Sequence, residues 1–293
     1  MMTTRQKMKF LSWALFAVFS ASSALAKDLM IYPAKGMKKM KILALCCLAG
    51  VLMLVPNAFA FDVKTSIGLG VGMAPDYEGS EDYEAVPLPY ARVTWGNNGN
   101  YVLLNGNNVQ ANLWSQEWQA GPLLQYRMER DSVDNDRVKR MKDIDSAVEA
   151  GAFIAYQSGP WRLGLDVAAD ISDEHDGYLV TLRGGYTCTH IKKLRITTSL
   201  STTYADDDYM ETYFQVDSKN VGTSGLSLYN ADSGIKDVGL TVVADYSLNK
   251  SWSIMGIGSY TRLVGDAEDS PVVDDEGSEN QMFFGVVGIY HFN

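Results

Sequence analysis

The chain has 293 residues, of which 25 are Lys or Arg and 35 are Asp or Glu. The first 60 residues hold eight of the bases and one acid, which leaves 17 bases against 34 acids in the remaining 233. So acidic a chain is not expected to bind nucleic acid by neutralising phosphates, or to lie on anionic lipid through a basic face.

Two consecutive N-terminal segments each have the pattern of a secretion signal, with a basic start, a short apolar run and a small-x-small end. The first ends at Ala26 and the second at Ala60. We interpret residues 1–36 as an extension from a misassigned start, 37–60 as the signal peptide and 61–293 as the mature domain. A membrane anchor is the alternative for the second run, but its roughly 14 apolar residues are short of the about 20 that span a bilayer.

The number and positions of the cysteines are consistent with an exported protein. Cys46 and Cys47 fall inside the second signal, which leaves Cys188 alone in the mature chain. A mature chain with one cysteine cannot form an intrachain disulfide, and we expect Cys188 to be a packed thiol.

Apolar and polar residues alternate along most of the mature chain, which is typical of strands with one oily and one wet face. Between Asp237 and Leu248 every second residue is apolar: Val238, Leu240, Val242, Ala244, Tyr246 and Leu248. Similar segments begin at Val63 and continue to the end of the chain, over residues 63–73, 118–128, 148–156, 161–171, 178–186, 194–204, 252–263 and 282–292. After an export signal, this pattern predicts an all-β fold, an antiparallel transmembrane β-barrel.

The connections predict how many strands there are. Short turns of such barrels face the periplasm and long loops face outside. Short turns and long loops alternate strictly along the chain if residues 101–105 and 109–114 are separate short strands. These would be joined at Asn105-Gly106, a strong hairpin dipeptide. The count is then about twelve, with ten or fourteen as alternatives. We also expect a hairpin over residues 210–229, inside the longest external loop.

The last strand ends Tyr290-His291-Phe292-Asn293, and a closing aromatic residue indicates a Gram-negative outer membrane. With the strands placed, loop phrases across residues 61–293 resemble those of the MipA/OmpV family of outer-membrane proteins. They include Pro87-Leu88-Pro89-Tyr90, Tyr213-Phe214 and Ser224-Gly225-Leu226 with Tyr229. The resemblance rests chiefly on the family-motif positions Pro75, Tyr77, Gly79, Ser80, Arg262, Leu263, Gly265, Asp266, Ser270 and Pro271.

The resemblance implies a scaffolding protein that holds a lytic transglycosylase and a murein synthase together at the outer membrane. Some members of the family resemble adhesins or influence antibiotic susceptibility. The predicted periplasmic turns are short, so a scaffold would have to work through turn tips, the N-terminal stub or the barrel wall.

Candidate catalytic groups are few. His175, in Asp173-Glu174-His175-Asp176-Gly177, could be read as part of a protease site or a metal clip, but we expect a solvated loop. His190 falls in a turn and His291 points into the lumen. The G-x-G-x-G run at Gly68, Gly70 and Gly72 has no following helix, so we expect it to let the wall curve and leave room for large neighbours.

Charged residues of both signs are predicted to face a hydrophilic bore. They are Lys64, Arg127, Arg162, Arg183 and Arg195 against Glu149, Asp166, Asp170, Asp237 and Asp245. In a narrow barrel we expect them to pair and seal the bore, since unpaired charge in a low dielectric is costly. The alternative is a selective channel.

Acidic residues concentrate in the external loops, among them Glu78 in the first. There they would lie among lipopolysaccharide phosphates, where weak Ca²⁺ or Mg²⁺ binding and simple solvation are the two alternatives. The sequence therefore predicts a multi-pass outer-membrane barrel with no enzyme activity, no cofactor and no resident metal site. Its expected partners are outer-membrane lipid, lipopolysaccharide and the murein enzymes. A small-solute channel, a surface adhesin and a barrel hydrolase are the rival functions.

Overall fold

The computed structural model describes residues 63–292. Both segments interpreted as signal sequences lie outside the described residues. Twelve antiparallel strands form a closed barrel in which each strand pairs with its neighbours in sequence and β1 pairs with β12. They are β1 Val63–Pro75, β2 Tyr83–Trp95, β3 Asn100–Asn105, β4 Asn108–Asn112, β5 Trp118–Arg127, β6 Ala147–Ser158, β7 Trp161–Asp170, β8 Tyr178–Cys188, β9 Leu194–Ala205, β10 Gly234–Ser247, β11 Trp252–Leu263 and β12 Asn280–Phe292. The predicted count of twelve is confirmed, including the two short strands.

Apolar side chains cover the outer wall, as the alternation predicts. Leu69 is 72% exposed and Phe284 is 58% exposed, which is expected where the solvent is lipid. Aromatic residues pair across neighbouring strands at the periplasmic rim. Their ring centroids are 4.8 Å apart in Trp118–Tyr156, 4.7 Å in Trp161–Tyr186 and 5.0 Å in Trp252–Tyr290. Such a belt marks the membrane interface.

The connections alternate between long and short. Six external loops comprise residues 76–82, 106–107, 128–146, 171–177, 206–233 and 264–279, and five periplasmic turns comprise 96–99, 113–117, 159–160, 189–193 and 248–251. Two 3-10 helices, Val138–Arg140 and Gly265–Ala267, lie in the third and sixth external loops. None of the helices in residues 63–292 has the length and hydrophobicity needed to cross a bilayer.

The hairpin predicted over residues 210–229 is wrong. The fifth external loop instead forms two helices, α1 Asp207–Phe214 and α2 Ser218–Ser224. The side chain of Asp206 accepts a hydrogen bond from the backbone N–H of Tyr209, and Asp217 accepts from those of Lys219 and Asn220. These N-caps satisfy the first free N–H groups of each helix, which favours helix over hairpin.

The inner wall is less polar than the sequence predicts. One side of the lumen carries a buried apolar cluster, which we call the lumen cluster: Val86, Leu88, Met255, Val287 and Ile289. A second cluster joins Leu123, Phe153 and Ala168 on β5, β6 and β7. The prediction of a hydrophilic bore therefore holds for only part of the inner wall.

Glycine in β1 makes room for the lumen cluster, as expected. A β-carbon on Gly70 would lie 2.1 Å from the carbonyl oxygen of Val286 and 2.8 Å from the Cα of Val287. Because no side chain fits at that distance, Gly70 lets β12 approach β1 closely at the seam that closes the ring.

Candidate functional site

The long external loops fold into a lid with its own hydrophobic core. Helix α1 supplies Tyr209, Met210, Tyr213 and Phe214, which are at most 5% exposed. They pack against residues of the third, fifth and sixth external loops and of neighbouring strand ends, among them Ile144, Ala231, Leu263, Ala267 and Val273. Tyr77, Val133, Val138, Met141, Val216, Leu226 and Val272 form a second lid cluster. We call these loops and their two clusters the lid.

The family-motif positions of the first external loop build one corner of the lid. Pro75 ends β1, and Tyr77 belongs to the second lid cluster. Gly79 has φ +99°, and a β-carbon there would lie 2.5 Å from Cγ2 of Val273. Its N–H donates to Oε1 of Gln281 at 3.2 Å, and Nε2 of Gln281 donates to the carbonyl of Ser80 at 3.0 Å. One glutamine thus fixes this loop to the start of β12.

The motif positions of the sixth external loop build the facing corner. Arg262 pairs with Glu268 at 2.6 Å, and Leu263 is 1% exposed. Gly265 begins the 3-10 turn, and the carbonyl of Asp266 accepts from the Tyr229 hydroxyl at 3.0 Å. Ser270 donates to the carbonyl of Phe214 at 2.5 Å, and Pro271 after it is buried. The two motifs therefore meet in the lid and hold α1 in place.

Beneath α1, a buried ionic network lies across the mouth of the barrel. Arg127 of β5 donates to Glu149 of β6 at 2.6 Å, and Glu149 also lies 3.2 Å from Nε2 of His175. The side chains of Glu149 and His175 are fully buried. Buried charges are stable only when paired and hydrogen-bonded, so these three groups depend on one another.

Glu78 of the first loop connects opposite sides of the mouth. It pairs with Lys236 of β10 and lies 3.7 Å from Arg127 of β5, strands that are five positions apart in the twelve-stranded ring. Burial alone would raise the pKa of Glu78, but the ammonium of Lys236 and the guanidinium of Arg127 outweigh burial and lower it to about 2. From the sequence we expected Glu78 to be either a solvated acid or a weak cation ligand. The structure instead places it in ion pairs with Lys236 and Arg127.

A bulge explains how Lys236 enters the network. The register between β9 and β10 shifts between Ile235 and Asp237. Strict alternation would point Lys236 outward, since Asp237 points inward, but a bulge lets both face the lumen. Their side chains are 6% and 8% exposed and pair at 2.5 Å.

Two tyrosines of α1 cover the charges. The Tyr209 hydroxyl donates to Glu78 at 2.5 Å, and the Arg127 guanidinium lies 4.8 Å from the centre of the Tyr209 ring. The His175 ring packs against Tyr209 and Tyr213 with centroids 5.2 and 5.7 Å apart. Burial raises the pKa of both hydroxyls well above the usual value, so they remain neutral donors.

The other predicted inward charges are used locally. Arg183 pairs with Asp166 on the next strand at 2.8 Å, and Arg162 donates to Gln119. Asp170 accepts backbone N–H bonds from Ser172, Glu174, His175 and Asp176, which shapes the fourth external loop. Arg195 and Asp245 are register partners on β9 and β10, and Lys64 is exposed near the start of β1.

The histidines lie in structural positions. The prediction that His175 lies in a solvated loop is wrong, because its ring fills the space between Glu149 and α1. His291 faces the lumen, as predicted, and its Nδ1 and Nε2 lie 2.8 and 3.0 Å from the hydroxyls of Ser66 and Ser253. With a serine on each ring nitrogen, His291 has no site for the carboxylate that would orient a catalytic base.

His190 and Cys188 lie together near the fourth periplasmic turn, with Sγ 3.4 Å from Nδ1. Cys188 is a free, half-buried thiol. In residues 63–292, no group of three or more His, Cys, Asp or Glu side chains is placed to hold a metal ion. The geometry of the site supports closure of the mouth.

Comparison with known proteins gives matches over most of the barrel. A sequence model of the family described as MltA-interacting protein MipA matches residues 67–292. The MltA-interacting protein of Escherichia coli (strain K12) is 28% identical over 245 residues, which cover 81% of this chain and 94% of that protein. Outer membrane protein OmpV of Vibrio cholerae serotype O1 is 29% identical over 168 residues, covering 55% of this chain and 62% of that protein. Among solved structures, the outer membrane protein OmpT of Vibrio cholerae is 7% identical with a TM-score of 0.33, covering 79% of this chain and 99% of that one.

Proposed function

Because the chain belongs to the MipA family of MltA-interacting proteins, we propose that this outer-membrane barrel is a closed, non-enzymatic docking platform for a lytic transglycosylase. Its periplasmic end carries the docking surface, and a murein synthase is the second partner that such a scaffold would hold.

The observation that carries this proposal is the closed mouth. Glu78 links Arg127 on one side of the barrel to Lys236 on the other, and α1 covers all three. A transport channel needs a path for solute, whereas here the mouth is filled by paired charges and aromatic rings. A barrel closed on its outer side can still present a rigid surface to the periplasm.

The second periplasmic turn, residues 113–117, offers such a surface. Leu113 and Trp114 are 47% and 65% exposed at the tip. Asn112, fully buried beside them, donates to the carbonyls of Gly99 and Ser115 at 2.9 and 2.8 Å and accepts from the N–H of Trp114 at 3.3 Å. These bonds tie the first two turns together, so Leu113 and Trp114 are presented on a rigid support. Exposed aromatic anchors of this kind are typical of protein interfaces.

Site-specific photocrosslinking in intact envelopes tests the proposal. A photoreactive residue replacing Gln116, in the second turn, should capture a protein that cleaves purified murein, identified by mass spectrometry. The same residue replacing Asp274, in the sixth external loop, is the matched control and should not. The Trp114→Ala variant should reduce capture at least several-fold while the barrel remains folded.

Two results would contradict the proposal. Capture of the enzyme from position 274 alone would place docking on the wrong side of the membrane. Unchanged capture by Trp114→Ala, with Leu113→Ala equally without effect, would show that Trp114 serves only as part of the interfacial aromatic belt.

A further inference from the structure

The barrel wall is lower on one side. Strand β2 runs from Tyr83 to Trp95, but its ladder with β3 ends at the pair Tyr90–Asn105, with one more bond from the N–H of Gly106 to the carbonyl of Pro89. Beyond that bond β2 continues toward the outside for six residues, about 20 Å at 3.3 Å per residue.

The opposite rim belongs to β5. The β3–β4 hairpin contacts it through the pair Asn108–Gln125 and the bond from the N–H of Tyr126 to the carbonyl of Asn107. Above the hairpin tip, β2 therefore faces Arg127, the last residue of β5, and Met128, the first residue of the third external loop, across a gap. Its upper edge is closed where the N–H of Asp134 donates to Asp76 at 2.9 Å. We call this gap the window.

The rim of β2 is chemically suited to an unpaired edge in lipid. Since the carbonyl of Pro89 points toward β3, the backbone groups of Pro87, two residues away, point to the same side. Both residues lack an N–H, so of the three rim residues that point to the open side here, Ala85, Pro87 and Pro89, only Ala85 has a backbone donor.

The window lies at the depth of the lipid tails. In the register of β1 and β2, Pro89 is opposite Leu69, Pro87 is opposite Val71 and Ala85 is opposite Met73. These three β1 side chains are among the exposed apolar residues of the outer wall. The window is thus continuous with the surface that lipid already covers.

Behind the window lies the lumen cluster. Val86 and Leu88, on the rim strand itself, are 6% and 7% exposed and face inward onto Val287 and Ile289. From the other rim, Met128, the residue after β5, packs against the same cluster. A methionine side chain is an unbranched, flexible chain about as wide as a hydrocarbon tail, and it adapts readily to new neighbours.

We propose that the window is a lateral binding site for one acyl chain of a bilayer lipid, which enters between β2 and β5 and takes the place of Met128 on the lumen cluster. The lid stays closed during entry, because Met128 packs on the lumen cluster and belongs to neither lid cluster. By entering from the side, the acyl chain moves from the apolar interior of the bilayer to an apolar surface inside the barrel wall.

Photolabelling in vesicles tests this site. The protein is reconstituted into phosphatidylcholine vesicles in which a few per cent of the lipid carries a diazirine in the middle of one acyl chain. After illumination, mass spectrometry should find adducts on the inward residues Val86 or Leu88 as well as on the outward residues Leu69 and Val71. Phe153, inward but in the separate cluster, should stay unlabelled.

Two substitutions of Met128 should change the inward labelling in opposite directions. Met128→Ala vacates the path and should raise the inward labelling several-fold, whereas Met128→Trp fills it and should abolish that labelling. Labelling of Leu69 is the internal control and should be unchanged in both. If Met128→Trp does not fold, the wild-type protein and Met128→Ala still decide the matter.

Two outcomes would overturn the proposal. One is labelling confined to the outer wall in both the wild-type protein and Met128→Ala. The other is inward labelling by a diazirine fatty acid supplied from the aqueous outer side when the bilayer probe gives none, which would mean entry from the top.

Discussion

Replacing Glu78 with Gln removes the charge that joins the two sides of the mouth while keeping the size of the side chain. The carboxylate has its pKa lowered from an ordinary 4.5 to about 2, where burial opposes the fall and Lys236 and Arg127 cause it. At 1.36 kcal/mol for each pH unit, the difference corresponds to about 3 kcal/mol, or roughly 300-fold in the opening equilibrium of the lid.

Hydrogen exchange of α1 measures that equilibrium, because its amides exchange only when the lid opens. At pH 7 the protection of residues 207–214 should fall a few hundredfold in Glu78→Gln. The matched control is Glu81→Gln, the same change at an exposed position of the same loop, and its protection should stay within twofold of wild type.

The pH dependence has a fixed sign. A carboxylate whose pKa is lower in the folded state than in the unfolded state stabilises the fold at any pH above its unfolded-state pKa. This stabilisation is lost as the pH falls through the folded-state pKa. Protection of α1 in wild type, corrected for intrinsic exchange, should therefore decline between about pH 5 and pH 2, and in Glu78→Gln that decline should be smaller, since Glu149 still titrates there. Equal protection in Glu78→Gln and Glu81→Gln at pH 7 would refute the reasoning.

Three further substitutions test other parts of the structure. Gly70→Ala should cost at least about 2 kcal/mol in urea unfolding, because its β-carbon meets the backbone of β12, whereas Gly184→Ala, with no atom within 4 Å, should unfold as wild type does. His291→Ala should cost about 1–2 kcal/mol in the same assay through its two lost hydrogen bonds, without altering photocrosslinking at Gln116; altered crosslinking would assign it a role beyond stability. Lys236→Met should lower α1 protection by roughly 3 kcal/mol, and the double variant with Glu78→Gln should lose less than the sum; simple additivity would mean that the two groups do not interact.

Strands and their order could be predicted because each depends on local pattern. Period-2 alternation placed the long strands, and Asn105-Gly106 separated β3 from β4. The helices of the fifth external loop also had a local signal that the prediction did not use. Asp206 and Asp217 each precede a run that they cap.

The candidate site could not be predicted because its contacts join residues that are far apart in sequence. His175 meets Glu149 across 26 residues, and Lys236 meets Glu78 across 158. A polar five-residue run looks solvated until the partner that buries it is known. The bulge at Ile235 likewise reverses the direction of Lys236, and the glycine before it, Gly234, is too common a residue at a strand start to predict a bulge.

The lumen cluster was missed for a related reason. Alternation tells which residues share a face, but β2 and β12 carry apolar residues on both faces, so the pattern alone does not say that the inner face is apolar. The glycines of β1 and the prolines of β2 mark this region, and their meaning follows only from the register that sets them beside Val287 and Gly106.

Single-channel recording in planar bilayers tests the central claim, that the barrel is closed at its outer mouth, most directly. At pH 7 the purified wild-type protein, shown to be folded and inserted, should give no lasting conductance steps, and Glu78→Gln inserted in the same way should give intermittent openings. Steady conductance steps from the wild-type protein would contradict the account.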